Sequence, residues 1–169
     1  MADQPRYDPL EPSAFFNDGQ SARIPVAGTV ARGQLRQDPH FYAGVAGGVP
    51  ALTFPYRIDN KVLERGRERY DIFCSPCHDR TGSGNGMVVQ RGFTRPPSFH
   101  TDILRKRPPG HFYQVMTKGF GAMPDYSSQI SPADRWAIAA YIRALQLSQH
   151  ARLEQVPPEL RRELKGSPR

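Results

Sequence analysis

The amino-acid sequence predicts an all-α domain that follows a long, extended N-terminal arm. Two segments combine helix-capping residues with apolar residues at three- and four-residue spacing, and no run of alternating residues typical of a strand is present. Composition adds a third observation, because the 169-residue chain has 17 prolines, 15 glycines and only 38% hydrophobic residues. This small number of apolar side chains can form only a small core, and we expect another group to fill part of it.

The arm is predicted to cover residues 1–56. This stretch is rich in Pro, Gly and Asp, and no helical or alternating period persists in it. Its longest apolar run, "FYAGVAGGVPALTF", is broken by Gly and Pro and is too short to cross a membrane. We therefore expect the arm to bind a partner surface and to add little to the stability of the domain behind it.

The domain is predicted to span residues 57–150, with a charged C-terminal tail over 151–169. Its first helix lies in "RIDNKVLERGRERYDIF", where Asp59 or Asn60 can cap the helix and one face carries Leu63, Gly66, Tyr70 and Phe73. A short helix in "GHFYQVMTKG" should end at Gly119, where a left-handed cap is favoured.

The last helix has the strongest start signal in the chain. Ser131 is a favourable cap, Pro132 suits the first helical position, and Asp134 follows three residues after the cap. An apolar stripe then runs along one face of the helix through Ile138, Tyr141, Ile142 and Leu145.

Both cysteines of the chain lie in "CSPCH", where Cys74 and Cys77 are followed directly by His78. This pattern attaches haem c: the thiols add to the porphyrin vinyl groups, and the histidine becomes an iron ligand. A thioredoxin-like dithiol and a zinc site are the alternatives. The first would follow a strand, whereas a helix is predicted here. The second needs about four ligands, and the later histidines do not have finger-like spacing.

A second axial ligand is expected from a loop methionine. Met123 in "GFGAMPDY" stands between glycines and a proline, well separated from His78. Met87 follows His78 too closely to reach the opposite face of the haem, and Met116 lies in a predicted helix at a core position. The sequence favours Met123 as the ligand and leaves Met116, His100 and His111 as alternatives.

Other residues are candidates for supporting the cofactor. A carbonyl of Pro96 or Pro97 could accept the free N–H of the His78 ring, and the glycines of "GSGNG" could let the backbone approach the haem edge. The haem propionates could be bound by Arg91, Arg95, Tyr113 and Trp136.

The chain is basic, with a formal net charge of +7 and a pI near 9.8. The "RKR" run at 105–107 is interpreted as a solvated face that attracts an acidic redox partner. Nucleic-acid binding is disfavoured, because the basic residues are not interleaved with aromatic ones and no binding module is present.

Taken together, the helix before CSPCH, the methionine loop and "DRWAIAAYIRALQ" resemble a class I cytochrome c. In that family the first and last helices cross, which would place Gly66 and Tyr70 against Tyr141. The arm over 4–33, with "GMVVQRGFTRPPSFH" and "GAMPDY", is similar to the monohaem cytochrome c subunit of bacterial alternative complex III, a quinol:acceptor oxidoreductase.

This resemblance implies an electron-transfer subunit with one covalent haem c that is not itself an enzyme. Its expected partners are the other subunits, including a multihaem cytochrome c, and its acceptor is a soluble cytochrome or a terminal oxidase. The expected location is the periplasmic face of the bacterial inner membrane, held through the complex or by a lipid anchor. Because the sequence begins with neither an export signal nor a lipidated cysteine, we expect an upstream leader to be missing. The alternatives are a free or oxidase-tethered monohaem cytochrome c and a thiol:disulfide oxidoreductase that uses Cys74 and Cys77.

Overall fold

A computed structural model describes residues 4–161 of the chain. It divides the chain into two compact units, Met1–Arg36 and Gln37–Arg169. All of the helices and strands with assigned bounds lie in the second unit: α1 (Pro39–Ala43), β1 (Val45–Ala46), β2 (Val49–Pro50), α2 (Asn60–Phe73), α3 (Ser75–His78), a 3-10 helix (Val89–Arg91), α4 (Asp102–Lys106), α5 (Pro109–Lys118), α6 (Pro132–Ser148) and a second 3-10 helix (Leu153–Gln155).

The first predicted helix is confirmed as α2. The Asp59 side chain caps it by accepting a hydrogen bond from the Val62 N–H at 2.9 Å. Gly66 and Tyr70 are the buried residues of its inner face. The helix ends at Cys74, whose backbone N–H donates to the Tyr70 carbonyl at 2.9 Å, so α2 delivers the chain directly into the cysteine motif.

The last predicted helix is confirmed as α6, the longest helix in the described part of the chain. Its Ser131 cap accepts from the Asp134 N–H at 3.1 Å, as the sequence predicts. The shorter helix α5 begins at Pro109 and ends at Gly119, which has φ +74° but an extended ψ of 171° rather than the predicted left-handed cap.

Helices α2 and α6 cross at Gly66, a residue of α2 that has no side chain. A Cβ atom at Gly66 would lie 2.1 Å from the Ala137 carbonyl oxygen. Next to this contact, the rings of Tyr70 and Tyr141 meet with their centroids 5.3 Å apart. An ion pair also joins the two helices, because Arg65 of α2 donates to both carboxylate oxygens of Asp134 of α6, at 2.7 and 3.1 Å. The crossing of the first and last helices at a small residue therefore agrees with the predicted arrangement.

Residues 37–56 differ from the prediction. They belong to the second unit, whereas the sequence predicts the start of the domain at residue 57. The indole N–H of Trp136 donates to the Phe41 carbonyl at 2.9 Å, and the hydroxyl of Tyr113 donates to the Tyr42 carbonyl at 3.0 Å. Ala51 is 1% exposed. This segment, which we call the strap, packs into the core without a repeating apolar pattern and could not be recognised by periodicity.

The first unit is held by short-range contacts of its own. Pro12 and Gln20 form an antiparallel bridge, and the Ser13 beside it is buried. Arg23 donates to both carboxylate oxygens of Asp18, at 2.8 and 2.7 Å. Several large apolar side chains of this unit are exposed: Tyr7, Leu10, Phe15, Ile24, Val26, Val30 and Leu35.

The second unit has one apolar core. Its members come from the strap, from α2, α5 and α6, and from the loops between them: Ala51, Tyr70, Phe99, Phe112, Tyr113, Met116, Ile130, Trp136, Ile138, Ala139 and Ile142. None of the helices within residues 4–161 has the length and apolar character needed to cross a bilayer. Part of the predicted C-terminal tail, residues 162–169, lies outside the described residues.

Candidate functional site

The cysteine motif forms a single helical turn directly after α2. Cys74 is at once the C-cap of α2 and the N-cap of α3, and Pro76 lies in the first turn of α3, where its missing N–H costs nothing. Both thiols are free and partly buried. This turn ends at His78, so the two sulfur atoms and the imidazole belong to one short, rigid segment.

His78 is a neutral and partly buried imidazole. Its ring lies flat against the ring of Phe99, with the centroids 4.5 Å apart and the planes 13° from parallel. Burial lowers the pKa of His78 to about 4, although the Asp79 carboxylate acts in the opposite direction. The ring is therefore neutral at pH 7, which is the state in which imidazole binds a metal.

The hydrogen bond that the sequence suggests for the other ring nitrogen of His78 stays a prediction. Within the part of the chain that the structure describes, Nδ1 is buried and has no hydrogen-bond partner. The predicted acceptors, the carbonyls of Pro96 and Pro97, are not joined to it. Pro97 is exposed, and the Pro96 carbonyl oxygen lies close to Gly84, 2.3 Å from the position that a Cβ there would take.

The ionisation of Cys74 bears on the alternative of a redox-active dithiol. Burial raises the pKa of the Cys74 thiol to about 12, and Cys77 adds to the rise. A catalytic dithiol needs a thiol whose pKa is lowered, because the thiolate is the nucleophile. The environment of Cys74 therefore disfavours thiol:disulfide exchange.

Asp79 organises the loop after the motif, a role that the sequence analysis missed. It has φ +54°, unusual for a residue with a side chain. Its carboxylate accepts hydrogen bonds from Thr81, Ser83 and the Asn85 N–H. Burial opposes ionisation of Asp79, but these bonds outweigh it and hold the pKa of the carboxyl well below its ordinary value. The only sequence signal was an Asp followed by Thr and Ser, typical of such turns.

The glycines of "GSGNG" allow the loop to approach the cysteine turn. Gly86 donates its N–H to the Cys77 carbonyl at 3.0 Å, and a Cβ there would lie 2.2 Å from the Pro76 carbonyl oxygen. Gly84 donates to the His78 carbonyl at 3.0 Å. The loop therefore lies close to the backbone of the motif, and its approach to the haem edge stays a prediction.

Met123 is fixed in a tight turn after α5. Phe120 and Met123 exchange two backbone hydrogen bonds of 3.0 Å, and the Tyr126 N–H donates to the Met116 carbonyl at 2.8 Å. A Cβ at Gly119 would lie 2.6 Å from the Met123 carbonyl oxygen, so a glycine is required there. The Met123 side chain packs on the edge of the core, whereas Met116 is 4% exposed within it.

Tyr126 links this methionine turn to the cysteine turn. Its ring meets that of Phe73 edge to face, with the centroids 6.5 Å apart. Burial raises the pKa of Tyr126, and Cys77 and Cys74 add to the rise. The structure thus brings the segment that carries Met123 beside the segment that carries the two thiols.

The four residues suggested for the propionates have other surroundings. Trp136 and Tyr113 are both 0% exposed, and their polar atoms donate to carbonyls of the strap. Arg95 donates to the Ser83 carbonyl at 3.2 Å. Arg91 is exposed at the end of its 3-10 helix. Trp136 and Tyr113 thus make contacts within the core, and a role for any of the four residues beside the propionates stays a prediction. Met87, which the sequence disfavours as a ligand, is 55% exposed.

Comparison with known proteins identifies the central part of this unit. Residues 61–142 match the model of a family described as cytochrome c oxidase, cbb3-type, subunit III. This part of the chain is a cytochrome c domain. The match covers α2 from its second residue, the cysteine turn, the methionine turn and the first two-thirds of α6. A cytochrome c domain with these helices is of class I and points to electron transfer.

The solved structures that are similar include a chain of the reducing HAO-like protein complex of Kuenenia stuttgartiensis. It is 23% identical, with a TM-score of 0.47, and the similarity covers 63% of the present chain. The similarity covers 54%, or about half, of that chain's own length. No curated protein matches the sequence.

The residues of the site fit the haem c that a cytochrome c domain implies. Two free thiols three residues apart and a neutral imidazole directly after them are the groups that attach haem c and bind its iron on one side. The neighbouring turn offers the thioether of Met123, a soft ligand suited to iron in cytochromes. When bound, haem c supplies a one-electron couple between ferrous and ferric iron.

Proposed function

We propose that this chain is a monohaem c-type cytochrome that carries electrons in a membrane-bound quinol:electron-acceptor oxidoreductase of the alternative complex III type. The observation that carries the proposal is the juxtaposition of two turns. One holds both thiols and the neutral His78, and the other holds Met123.

Each of these residues has a distinct role in the proposal. Cys74 and Cys77 hold the single haem c covalently, and His78 and Met123 are its axial ligands. With both axial positions taken, the iron has no open position for oxygen or a substrate, and a thioether ligand favours the ferrous state. The chain is then an electron carrier that is not an enzyme by itself.

The proposed assignment to a complex rests on the first unit and on the resemblance of its sequence. Met1–Arg36 exposes a series of large apolar side chains that is unusual for so short a segment. We infer that this unit docks on other subunits, including a multihaem cytochrome c that passes on electrons from quinol. The acceptor is a soluble cytochrome or a terminal oxidase, and the site is the periplasmic face of the bacterial inner membrane.

A second candidate is a monohaem cytochrome c tethered to a terminal oxidase. The observation in its favour is the description of the matched family, which names a cbb3-type oxidase subunit. The two candidates share the haem site and differ only in the partner.

Affinity purification separates the two candidates. The tagged chain, isolated from detergent-solubilised membranes of its native host, should bring with it a multihaem cytochrome c and quinol:acceptor activity. Deleting Met1–Arg36 should abolish this association and leave the visible spectrum of the reduced haem unchanged. Co-purification with a copper-containing oxidase would favour the second candidate, and retention of the complex by the truncated chain would contradict the role of the first unit.

Haem attachment has its own test. Protein made with a working maturation system should keep its colour through acid-acetone extraction, because thioether bonds survive that treatment. Loss of the colour into the solvent would exclude haem c and would favour the alternative of a redox-active dithiol.

A further inference from the structure

We propose that a basic cleft lined by Arg105, Lys106 and Arg152 binds an acidic segment of the protein with which this chain exchanges electrons. The inference rests on the proposed function, because it takes the chain to be an electron carrier. It adds the place on the surface and the chemistry of the partner, which neither the cysteine motif nor the family match specifies.

The basic cleft lies between α4, the end of α6 and the residues that follow α6. Its volume is about 480 Å³, which admits a few side chains of a partner but not a folded domain. Arg105 and Lys106 line it from α4, and Arg152 lines it from the residues after α6. All three are exposed. The basic run 105–107 therefore supplies only part of this surface, and the fold brings Arg152 to it.

Positive charge predominates in the basic cleft. Asp102 is the one carboxylate among the described residues that line it, and it is paired with Arg105 at 3.3 Å. No ion pair within residues 4–161 neutralises Lys106 or Arg152. Exposed cations of this kind attract carboxylates and orient an approaching partner. The basic cleft is therefore complementary to an acidic segment.

The α4 side of the basic cleft is held in place by Arg143 of α6. The guanidinium of Arg143 donates to the carbonyl oxygens of Arg105, at 3.1 Å, and of Arg107. It also donates to the Gln146 side chain at 2.6 Å and lies over the Phe112 ring. A surface that is fixed before a partner arrives loses less entropy on binding, so these contacts favour recognition.

One wall of the basic cleft is connected to the candidate haem site. Gln146 lines the cleft, and its buried side chain donates to the Phe99 carbonyl at 2.8 Å. The Phe99 ring lies flat against the ring of His78, with the centroids 4.5 Å apart. Only two packed side chains therefore separate the cleft from the proposed iron ligand. Because electron transfer slows steeply with distance, this proximity favours a redox protein as the occupant.

An anionic membrane surface would also attract these cations, but the basic cleft suits it less well. Binding at a membrane surface depends on apolar side chains that enter the bilayer as well as on charge. Leu147 is the one apolar residue among the described residues that line the cleft. A concave surface also contacts side chains that project from a protein better than it contacts a flat layer of headgroups. These features favour a protein segment with several carboxylates.

The experiment compares the wild-type holoprotein with two triple variants of the full chain. The cleft variant carries Arg105→Gln, Lys106→Gln and Arg152→Gln. The matched control removes the same charge from exposed positions on α2 and just before it, and carries Arg57→Gln, Lys61→Gln and Arg67→Gln. Each substitution replaces an exposed cation by a polar side chain, so both variants should fold.

Binding is measured by fluorescence anisotropy at low ionic strength, with a labelled octaglutamate peptide as the probe. The wild type and the control variant should bind the peptide with similar affinity, and added salt should weaken the binding. The cleft variant should bind it roughly tenfold more weakly, because its exposed charge pairs with the peptide are lost. Equal weakening in the two triple variants would overturn the proposal, since net charge alone would then explain the binding. If the cleft variant does not fold, Arg152→Glu alone, at an exposed position after α6, should also weaken the binding.

Electron exchange is measured with ferricyanide, an anionic oxidant that takes one electron from the reduced protein and becomes ferrocyanide. The cleft variant should react more slowly than the control variant, because the cations that attract the anion are lost near the electron path. Octaglutamate should slow the reaction of the wild type by occupying the same surface. Equal rates in the two triple variants, together with no effect of the peptide, would refute the role of the basic cleft in electron exchange.

Vesicles of phosphatidylcholine and phosphatidylglycerol test the other occupant. Co-sedimentation of the wild type that is lost in the cleft variant, without peptide binding by either protein, would overturn the proposal in favour of a membrane surface. Failure of the proposed function gives a different result, because the colour would then be lost on acid-acetone extraction before any variant is compared. Attached haem together with peptide binding that does not depend on the basic cleft would refute the docking site alone.

Discussion

Replacing Gly66 by alanine should force the two long helices of the domain apart where they cross. The new Cβ would lie 2.1 Å from the Ala137 carbonyl oxygen and 3.0 Å from the Cβ of Tyr141. Favourable contacts between non-bonded heavy atoms lie near ~3.5 Å, so α2 and α6 must separate by roughly 1.4 Å. Rotating a side chain cannot relieve this clash, because the carbonyl belongs to the backbone of α6.

Two effects of opposite sign set the magnitude. Overpacking of a well-packed core costs about 1–3 kcal/mol, and a clash with the backbone belongs at the upper end of that range. Alanine in place of glycine within a helix gives back about 1 kcal/mol through its higher propensity. The net change is a loss of about 2 kcal/mol in the free energy of unfolding, or roughly 10 °C in Tm for a domain of this size.

Thermal unfolding of the oxidised holoprotein, followed by far-ultraviolet circular dichroism, measures this loss. Glu64→Ala is the matched control, because Glu64 is exposed on the same helix and its replacement should change stability by no more than about 0.5 kcal/mol. A Gly66→Ala protein as stable as the wild type would refute the close crossing of α2 and α6.

Three further predictions follow from the site and from the strap. Deletion of Met1–Arg36 should leave the Tm of the haem domain within a few degrees of wild type, whereas deletion of residues 1–56 should prevent stable folding, as calorimetry of the two truncated proteins would show. Met123→Ala should remove the near-infrared sulfur-to-iron band of the ferric protein and let carbon monoxide bind the ferrous form, while Met116→Leu should keep the band; the reverse result would reassign the ligand. Asp79→Asn should cost about 1–2 kcal/mol at neutral pH, allowing for partial exposure of the side chain. Because the folded-state pKa of Asp79 is depressed, its contribution is present above the ordinary carboxyl pKa of 3.8 and is lost as the pH falls below that value. Denaturant titrations at pH 7 and pH 3 should therefore show a smaller difference between the variant and the wild type at the lower pH.

The long helices and the cysteine motif could be predicted from the sequence because their signals are local. Asp59 and Ser131 cap their helices through contacts only three residues away. The strap could not be predicted in this way, since its residues are held by Trp136 and Tyr113 from the far end of the chain. A segment that is ordered by distant partners need not carry any period of its own.

Only the part of the candidate site that has a local sequence signal could be predicted. The spacing of Cys74, Cys77 and His78 is a local pattern, so the sequence could specify it. The stack of Phe99 on His78 joins a loop residue to the last residue of α3, and no sequence spacing indicates this contact. The Asp79 turn depends on a positive φ that is rare outside glycine, so the residue type at position 79 does not predict it.

The hydrogen bond from Trp136 to the Phe41 carbonyl also bears on the order in which the domain assembles. It joins residues separated by 95 positions, and the bond from Tyr113 to the Tyr42 carbonyl spans 71. Closing a loop of that length carries an entropic cost of about 4 kcal/mol, which makes such contacts late events in folding. Cys74 and Cys77 lie inside the loop that these contacts close. We expect the apoprotein to keep its two thiols accessible to the attachment machinery until the ends of the domain meet.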